Sequence, residues 1–229
     1  LLTFLVVFIN NKTISSYIFQ RNFETAKRAA NEINLFLETP RRVIITLANI
    51  PVIATMERFT QNLMITKIKA DYPLFNNIYI IRDNGKLIAS TSYEPAVQDF
   101  TRQPLFKEAL MGKEYLSGIS FTDNQSPIMY ISEPIFRFNK VVAVIVGEID
   151  IKNIWDLLDD ITIGETGNAF LFSSDGTLIA HSDKSKVLQQ QKVTAFSFYN
   201  EVISGRSGID HYIDENETPH LAAYIPVPD

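Results

Sequence analysis

A single phrase occurs twice in this chain, and it constrains the fold more than any other feature. Tyr79-Ile80-Ile81-Arg82-Asp83-Asn84-Gly85-Lys86-Leu87-Ile88-Ala89-Ser90 sets an apolar run, an Asn-Gly turn and a second apolar run in succession, the pattern of strand, tight turn and strand. Phe170-Leu171-Phe172-Ser173-Ser174-Asp175-Gly176-Thr177-Leu178-Ile179-Ala180-His181 repeats it. Placing Gly85 on Gly176 aligns an apolar triplet before each turn and an identical Leu-Ile-Ala after it. The two copies are also continued alike, by a polar crossover, a short helical stretch ending at glycine (Gly112, Gly205), then strand-like runs. The sequence therefore predicts one sheet module built twice.

Composition narrows the function classes. With 46% hydrophobic and 21% charged residues among 229, the chain has the make-up of a globular protein with a full core. A net charge of −5 and the absence of any Lys/Arg-rich run argue against a phosphate-binding surface, so nucleic acid is not an expected partner. Zero cysteines exclude a disulfide framework, a thiolate zinc site and a cysteine nucleophile.

Residues 1–9 are apolar except Thr3, too few to span a bilayer, which takes about 20 residues. They read either as the exit end of a membrane helix or as a buried strand. The polar cluster Asn10-Asn11-Lys12-Thr13 directly after them favours the first, as at a membrane-water interface. Residues 10–70 then read as a long helix and a helical connection. Ile14, Tyr17, Ile18, Ala26, Ala29, Ala30, Ile33, Phe36 and Leu37 fall on one face, and Pro40 is expected to end or kink the helix near Thr39. A second apolar segment runs from Arg41 to Ile50, and another helix covers Met56 to Ala70. After the first hairpin come a short helix from Pro104 to Met111 and strands over 115–122, 128–137 and 141–151. A helix over 152–160 closes the first module, 71–160. The second module, 161–229, repeats the order through strands over 208–213 and 220–225, with Glu215-Asn216-Glu217 as the turn between them. It stops where one more strand is expected.

The run from Val146 to Leu158, the strand entry Thr166-Gly167-Asn168-Ala169-Phe170 and the tail Asp175-Gly176-Thr177-Leu178-Ile179-Ala180-His181-Ser182-Asp183 resemble the double Cache sensor domains of bacterial transmembrane receptors. The likeness is greatest to those of sensor histidine kinases. Asp99-Phe100-Thr101, Phe106-Lys107-Glu108-Ala109-Leu110 before Gly112, and Ser126 to Ile135 resemble the membrane-distal module of such domains. The resemblance implies an α+β fold: a long N-terminal helix and two stacked PAS-like (Cache) modules, each a mostly antiparallel sheet of about five strands. It also implies a periplasmic or extracellular, membrane-anchored domain with flanking spans; the long N-terminal helix, about 37 Å at 1.5 Å per residue, suits pairing with its copy as a homodimer. A small molecule would bind the distal module and displace helices that reach a cytoplasmic output domain, a histidine kinase or alternatively a chemotaxis or diguanylate cyclase domain.

A pocket wall in such a module draws side chains of one parity from neighbouring strands. Tyr79 and Ile81, Ile119 and Phe121, Tyr130 and Ser132, and Glu148 and Asp150 are such pairs; Arg102 lies just before the short helix that carries Phe106. The candidate ligand-binding residues are Tyr79, Ile81, Arg102, Phe106, Phe121, Tyr130, Ser132 and Asp150. Arg102 offers a fork for a carboxylate and Asp150 an acceptor for an ammonium. Each has a structural alternative: plain core for the aromatics, a solvated helix start for Arg102, a helix cap for Asp150. The amino-acid-binding branch of the family carries an Arg, Trp-Tyr, a later Tyr and an Asp at the strand end. Here Leu105, Phe106 and Phe121 replace three of these, and Gln103 occupies a usual Arg position, so an amino acid is not singled out over another carboxylate or metabolite.

No cofactor and no metal are expected: His181, His211 and His220 lack the spacing of a ligand set. The competing class is a membrane-anchored extracytoplasmic enzyme using Asp150, Glu148 or His181. It is disfavoured because no nucleophile, metal set or phosphate loop accompanies them.

Overall fold

The computed structural model describes residues 3–9, 16–55, 57–92, 99–122, 124–161, 163, 167–213 and 219–227. They form two compact units, one of residues 1–36 and 153–229 and one of residues 37–152, here unit 1 and unit 2. Each is built on its own antiparallel sheet, so the two hairpins belong to separate sheets, as duplication requires. Several expected segments, among them the Asn10–Thr13 cluster and the 215–217 turn, lie outside the described residues.

In unit 2, strands β2 (Phe75–Arg82) and β3 (Leu87–Ser90) form the first hairpin. The 3-10 turn Phe100–Arg102 and helix α3 (Pro104–Leu110) come next, then the short strands β4 (Tyr115–Leu116) and β5 (Ser120–Phe121). Two long strands, β6 (Pro127–Arg137) and β7 (Lys140–Asp150), complete the sheet in the order β3-β2-β7-β6-β4, with β5 also on β6. The single strand expected over 115–122 is thus broken in two, with Gly118 in the gap. Helix α2 (Arg58–Asp71) precedes the sheet.

In unit 1 the second hairpin is β8 (Ala169–Ser173) and β9 (Leu178–His181), continued by short helices α5 (Lys184–Leu188) and α6 (Tyr199–Ile203) and strands β10 (Gly208–Ile213) and β11 (Pro219–Val227). The sheet order is β9-β8-β1-β11-β10, where β1 is Thr3–Ile9. Residues 3–9 are therefore a strand and not the end of a helix. Phe4 pairs with Phe172 on one side and Pro226 on the other, both antiparallel. A run of aromatic and β-branched residues suits such a place. In the first sheet β7 holds the same position between β2 and β6, so β1 fills the place for which the sequence predicts a further strand after β11.

Helix α1 (Ser16–Ala48) passes through Pro40 without ending. Proline removes one helical hydrogen bond and disfavours helix at the preceding residue. Here the ring is buried, Ile33, Ile44 and Leu47 are buried on either side of it, and Arg41 and Arg42 both reach back to Glu38 at 3.1 Å. The expected module boundary after Asp160 moves as well. Helix α4 (Lys152–Asp159) belongs almost wholly to unit 1 because Ile154 and Leu158 are buried and the Trp155 indole donates to Ile179 O at 2.7 Å.

The hairpin turns are alike in detail. Gly85 and Gly176 both have φ of +83°, and a β-carbon at either would run into a threonine methyl, Thr101 or Thr194. Gly176→Ala should destabilise the protein by about 1–3 kcal/mol, through a left-handed backbone and a contact of 2.5 Å to Thr194 Cγ2. Urea unfolding measures it, and a loss below about 0.5 kcal/mol, the range of an ordinary surface change, would contradict the turn geometry.

Candidate ligand-binding site

Strand alternation sends one set of unit 2 side chains toward α3. Tyr79 and Ile81 from β2, Ile128 and Tyr130 from β6, and Val144 and Val146 from β7 form one buried cluster with Phe100, Leu105, Phe106 and Ala109. Tyr79 and Phe100 have ring centroids 5.4 Å apart. The Ser132 hydroxyl, fully buried, donates to Leu105 O at 2.7 Å and fastens α3 to β6. Five of the eight residues expected from the sequence, Tyr79, Ile81, Phe106, Tyr130 and Ser132, are therefore brought to one face.

The other three are not. Arg102 has 89% of its side chain exposed and lies 3.7 Å from Asp99. Phe121 is partly exposed on β5, paired with Pro127 at the sheet margin. Asp150 accepts from Lys152 N at 2.8 Å, the helix-start role that is its structural alternative.

The carboxylate that enters the cluster is Glu148, one alternation earlier on β7 and 4% exposed. Tyr79 OH donates to its Oε2 at 3.1 Å, and Asn77 Nδ2 to its Oε1 at 3.2 Å. Tyr130 is close enough that its phenol is pushed up to about 12, by burial first and then by the Glu148 charge and hydrogen bond. The same causes in the same order push the Tyr79 phenol up further. Both phenols thus remain donors at any physiological pH. Among the described residues no Arg, Lys or His pairs with Glu148. Neutral donors satisfy this buried carboxylate by hydrogen bonding alone, and a cation arriving from outside would add a charge interaction that none of them supplies. Among the described residues no three acidic or histidine side chains converge as a metal set would.

Comparison with known proteins gives this face its context. The family model described as Cache domain matches residues 10–229. The chain belongs to the Cache domain family. It has the double Cache architecture, and Cache domains are extracellular sensor domains of membrane receptors. Among solved structures it is similar to the extracellular domain of a protein assigned as the histidine kinase mmHK1S-Z2, at 15% identity and a TM-score of 0.72, covering 92% of this chain and 98% of that one. It is similar also to the ligand-binding domain of the Pseudomonas aeruginosa amino acid chemoreceptor PctC in complex with GABA (14%, TM-score 0.66, 88% and 96%). A third is the ligand-binding domain of the Campylobacter jejuni chemoreceptor Tlp3 in complex with 4-methylisoleucine (15%, TM-score 0.66, 92% and 91%). At these identities the structures establish the shared fold. No helix among the described residues of this Cache chain is long and apolar enough to cross a membrane.

Glu148 is visible in the sequence as the alternate partner of Asp150. Parity alone does not separate them; the end of the strand does, by turning Asp150 back onto its own chain. Phe100, Leu105, Val144 and Val146 share the same face, and Val144 and Val146 follow from Glu148 by the same alternation. Tyr79→Phe should destabilise the protein by about 1–3 kcal/mol, since a buried carboxylate loses a donor. A change within about 0.5 kcal/mol in urea unfolding would show that the hydroxyl does not serve Glu148.

Proposed function

We propose that residues 37–152 form the membrane-distal, ligand-binding module of a transmembrane receptor, and that the site lies on the α3 face of the first sheet. Glu148 receives a positively charged group of a small molecule, and Tyr79, Tyr130, Phe100 and Phe106 enclose its apolar body. The observation that carries this reading is a 4%-exposed carboxylate without a cationic partner among the described residues, set among aromatic rings. The Cache structures solved with GABA and 4-methylisoleucine support an ammonium-bearing class. The exposed Arg102 sets this chain apart from a site that grips a carboxylate from the helix start. Ile81 and Ser132 shape the wall, while Asp150 and Phe121 border it.

Binding shifts a population between two arrangements of the helices, and α1 carries the change to a cytoplasmic output. A histidine kinase is the reading favoured by the neighbours assigned to that class; a chemotaxis or diguanylate cyclase output is the alternative. Pairing as a homodimer through α1 is supported by Leu35, 67% exposed, beside an apolar groove of about 380 Å3 lined by Ile33, Phe36, Ile154 and Leu157. The domain acts by binding, without turnover of its ligand.

A thermal-shift screen of amines, amino acids and short carboxylic acids tests the site. A ligand present at about 100 times its Kd stabilises by about 2.7 kcal/mol. Glu148→Gln should weaken a hit at least tenfold, and Arg102→Ala should leave it within twofold. Hits untouched by Glu148→Gln and abolished by Arg102→Ala would contradict the placement.

A further inference from the structure

The opposite face of the same sheet carries a second acidic residue that the ligand site does not use. Glu133 on β6 points away from Ser132, toward α1, and its Oε2 is buried without a hydrogen-bond partner among the described residues. Tyr115 pairs with Ser132 across β4 and β6, which sets Glu114 opposite Glu133 one step along. Arg41 of α1 grips Glu114 with both prongs of its guanidinium, Nε to Oε1 at 2.6 Å and Nη2 to Oε2 at 3.0 Å, while Nη1 reaches Glu38 at 3.1 Å. Arg41 thus stands among three carboxylates and is committed to two of them, while Arg42 donates to Glu38 Oε2 at 3.1 Å.

We propose that Glu133 and Glu114 compete for Arg41, so that proton loss from Glu133 changes how α1 is held against the β4–β6 edge of unit 2. With Glu133 neutral, Arg41 and Glu114 are matched and the fork is intact. Once ionised, Glu133 is a buried charge with no donor beside a like charge. Relief requires Arg41 to swing toward it or Glu114 to move away, and either motion loosens the fork.

Among the described residues the groups facing Glu133 are few. From α1 come Glu38 and Arg41; Arg42 is 80% exposed and turned to Glu38. From the segment before β4 comes Glu114, while Lys113 lies 3.9 Å from Glu108. Ile145 is its partner on β7, and the 3-10 turn Ile53–Thr55 carries no ionisable side chain. Helix α3, with Lys107 and Glu108, packs on the other face of β6, where Leu105 accepts from Ser132. Burial, and then the Glu114 charge, push the Glu133 carboxyl up to about 7, against the pull of Arg41. The folded state therefore holds this proton more tightly than the unfolded one. The associated stability is present in full below the ordinary glutamate range, and it is lost as pH rises through about 7.

Two measurements on the whole chain decide the matter, and no ligand enters either, so they are independent of the binding site on the other face. In carbon-13 NMR of the carboxyl groups, Glu133 should titrate near pH 7; Glu114→Gln should lower that midpoint and Arg41→Gln should raise it. Because the chain has no cysteine, Thr46→Cys and Met111→Cys give a unique spin-label pair across α1 and the end of α3. Their distance should shift by about 1–2 Å between about pH 5.5 and 8.5, the scale of a helix shift, and should be invariant with pH in Glu133→Gln. Titration of Glu133 with the ordinary glutamates at about 4–5, a pH-invariant distance in the unsubstituted background, or a shift that persists in Glu133→Gln would each overturn the proposal.

Discussion

The docking of α1 on the sheet of unit 2 depends on a missing side chain. A β-carbon at Gly147, in the middle of β7, would lie 2.8 Å from Phe75 Cε1, 3.1 Å from Ile44 Cδ1 and 3.2 Å from Ile131 Cγ2. Real β-carbons essentially never come within 2.8 Å of a neighbour, and 3.1–3.2 Å is tighter than nearly all of their contacts, so glycine is what lets the helix, β2 and β6 close on β7 without shifting. That approach makes β7 a strand buried on both faces, with Ala143 and Ile145 on the helix side and Val144, Val146 and Glu148 on the other, all within 4% exposure. A charge on the second face is then sealed by the packing of the first, and the same strand couples the sheet's two sides.

The pairing of two sides of one sheet is what makes the arrangement suited to sensing. The α3 face holds a carboxylate, two phenols kept neutral by burial, and aromatic rings. The α1 face holds an ion network, Arg41 with Glu38 and Glu114, whose balance turns on Glu133. Both faces are read out by residues adjacent on β6: Ser132 toward α3 and Glu133 toward α1. A displacement of β6 by a fraction of an ångström is therefore felt by both, because close-packed interiors transmit strain instead of absorbing it.

Local chemistry makes the hairpins, the short helix before Gly112 and the long strands β6 and β7 legible in the sequence, since turn glycines and apolar runs act within a few residues. Two expectations, a helix ending at Pro40 and a membrane-helix end over residues 1–9, give way to tertiary packing that overrides a local rule. Pro40 is a helix breaker by its own geometry, yet Ile33, Ile44 and the Glu38 ion pairs hold α1 through it. Residues 3–9 match a membrane-helix end by hydropathy as well as they match a strand; only the gap between β8 and β11, which is a property of the folded sheet, decides. The candidate site is legible in part for the same reason. Parity finds Tyr79, Ile81, Tyr130 and Ser132, whereas choosing between Glu148 and Asp150 requires knowing where β7 stops and its end turns back on itself. Arg102 cannot be placed from composition, because the 3-10 turn that buries Phe100 leaves Arg102 on its exposed side.

The central claim is that unit 2, and not unit 1, receives the small molecule, on the α3 face. Fluorine NMR of protein carrying fluorotyrosine at its nine tyrosines tests it directly during titration with pooled amines, amino acids and short carboxylic acids. The account predicts that the Tyr79 and Tyr130 resonances move first and furthest, with Tyr199 and Tyr224 of unit 1 unshifted at low occupancy. Movement of Tyr199 and Tyr224 with Tyr79 and Tyr130 unchanged would contradict it.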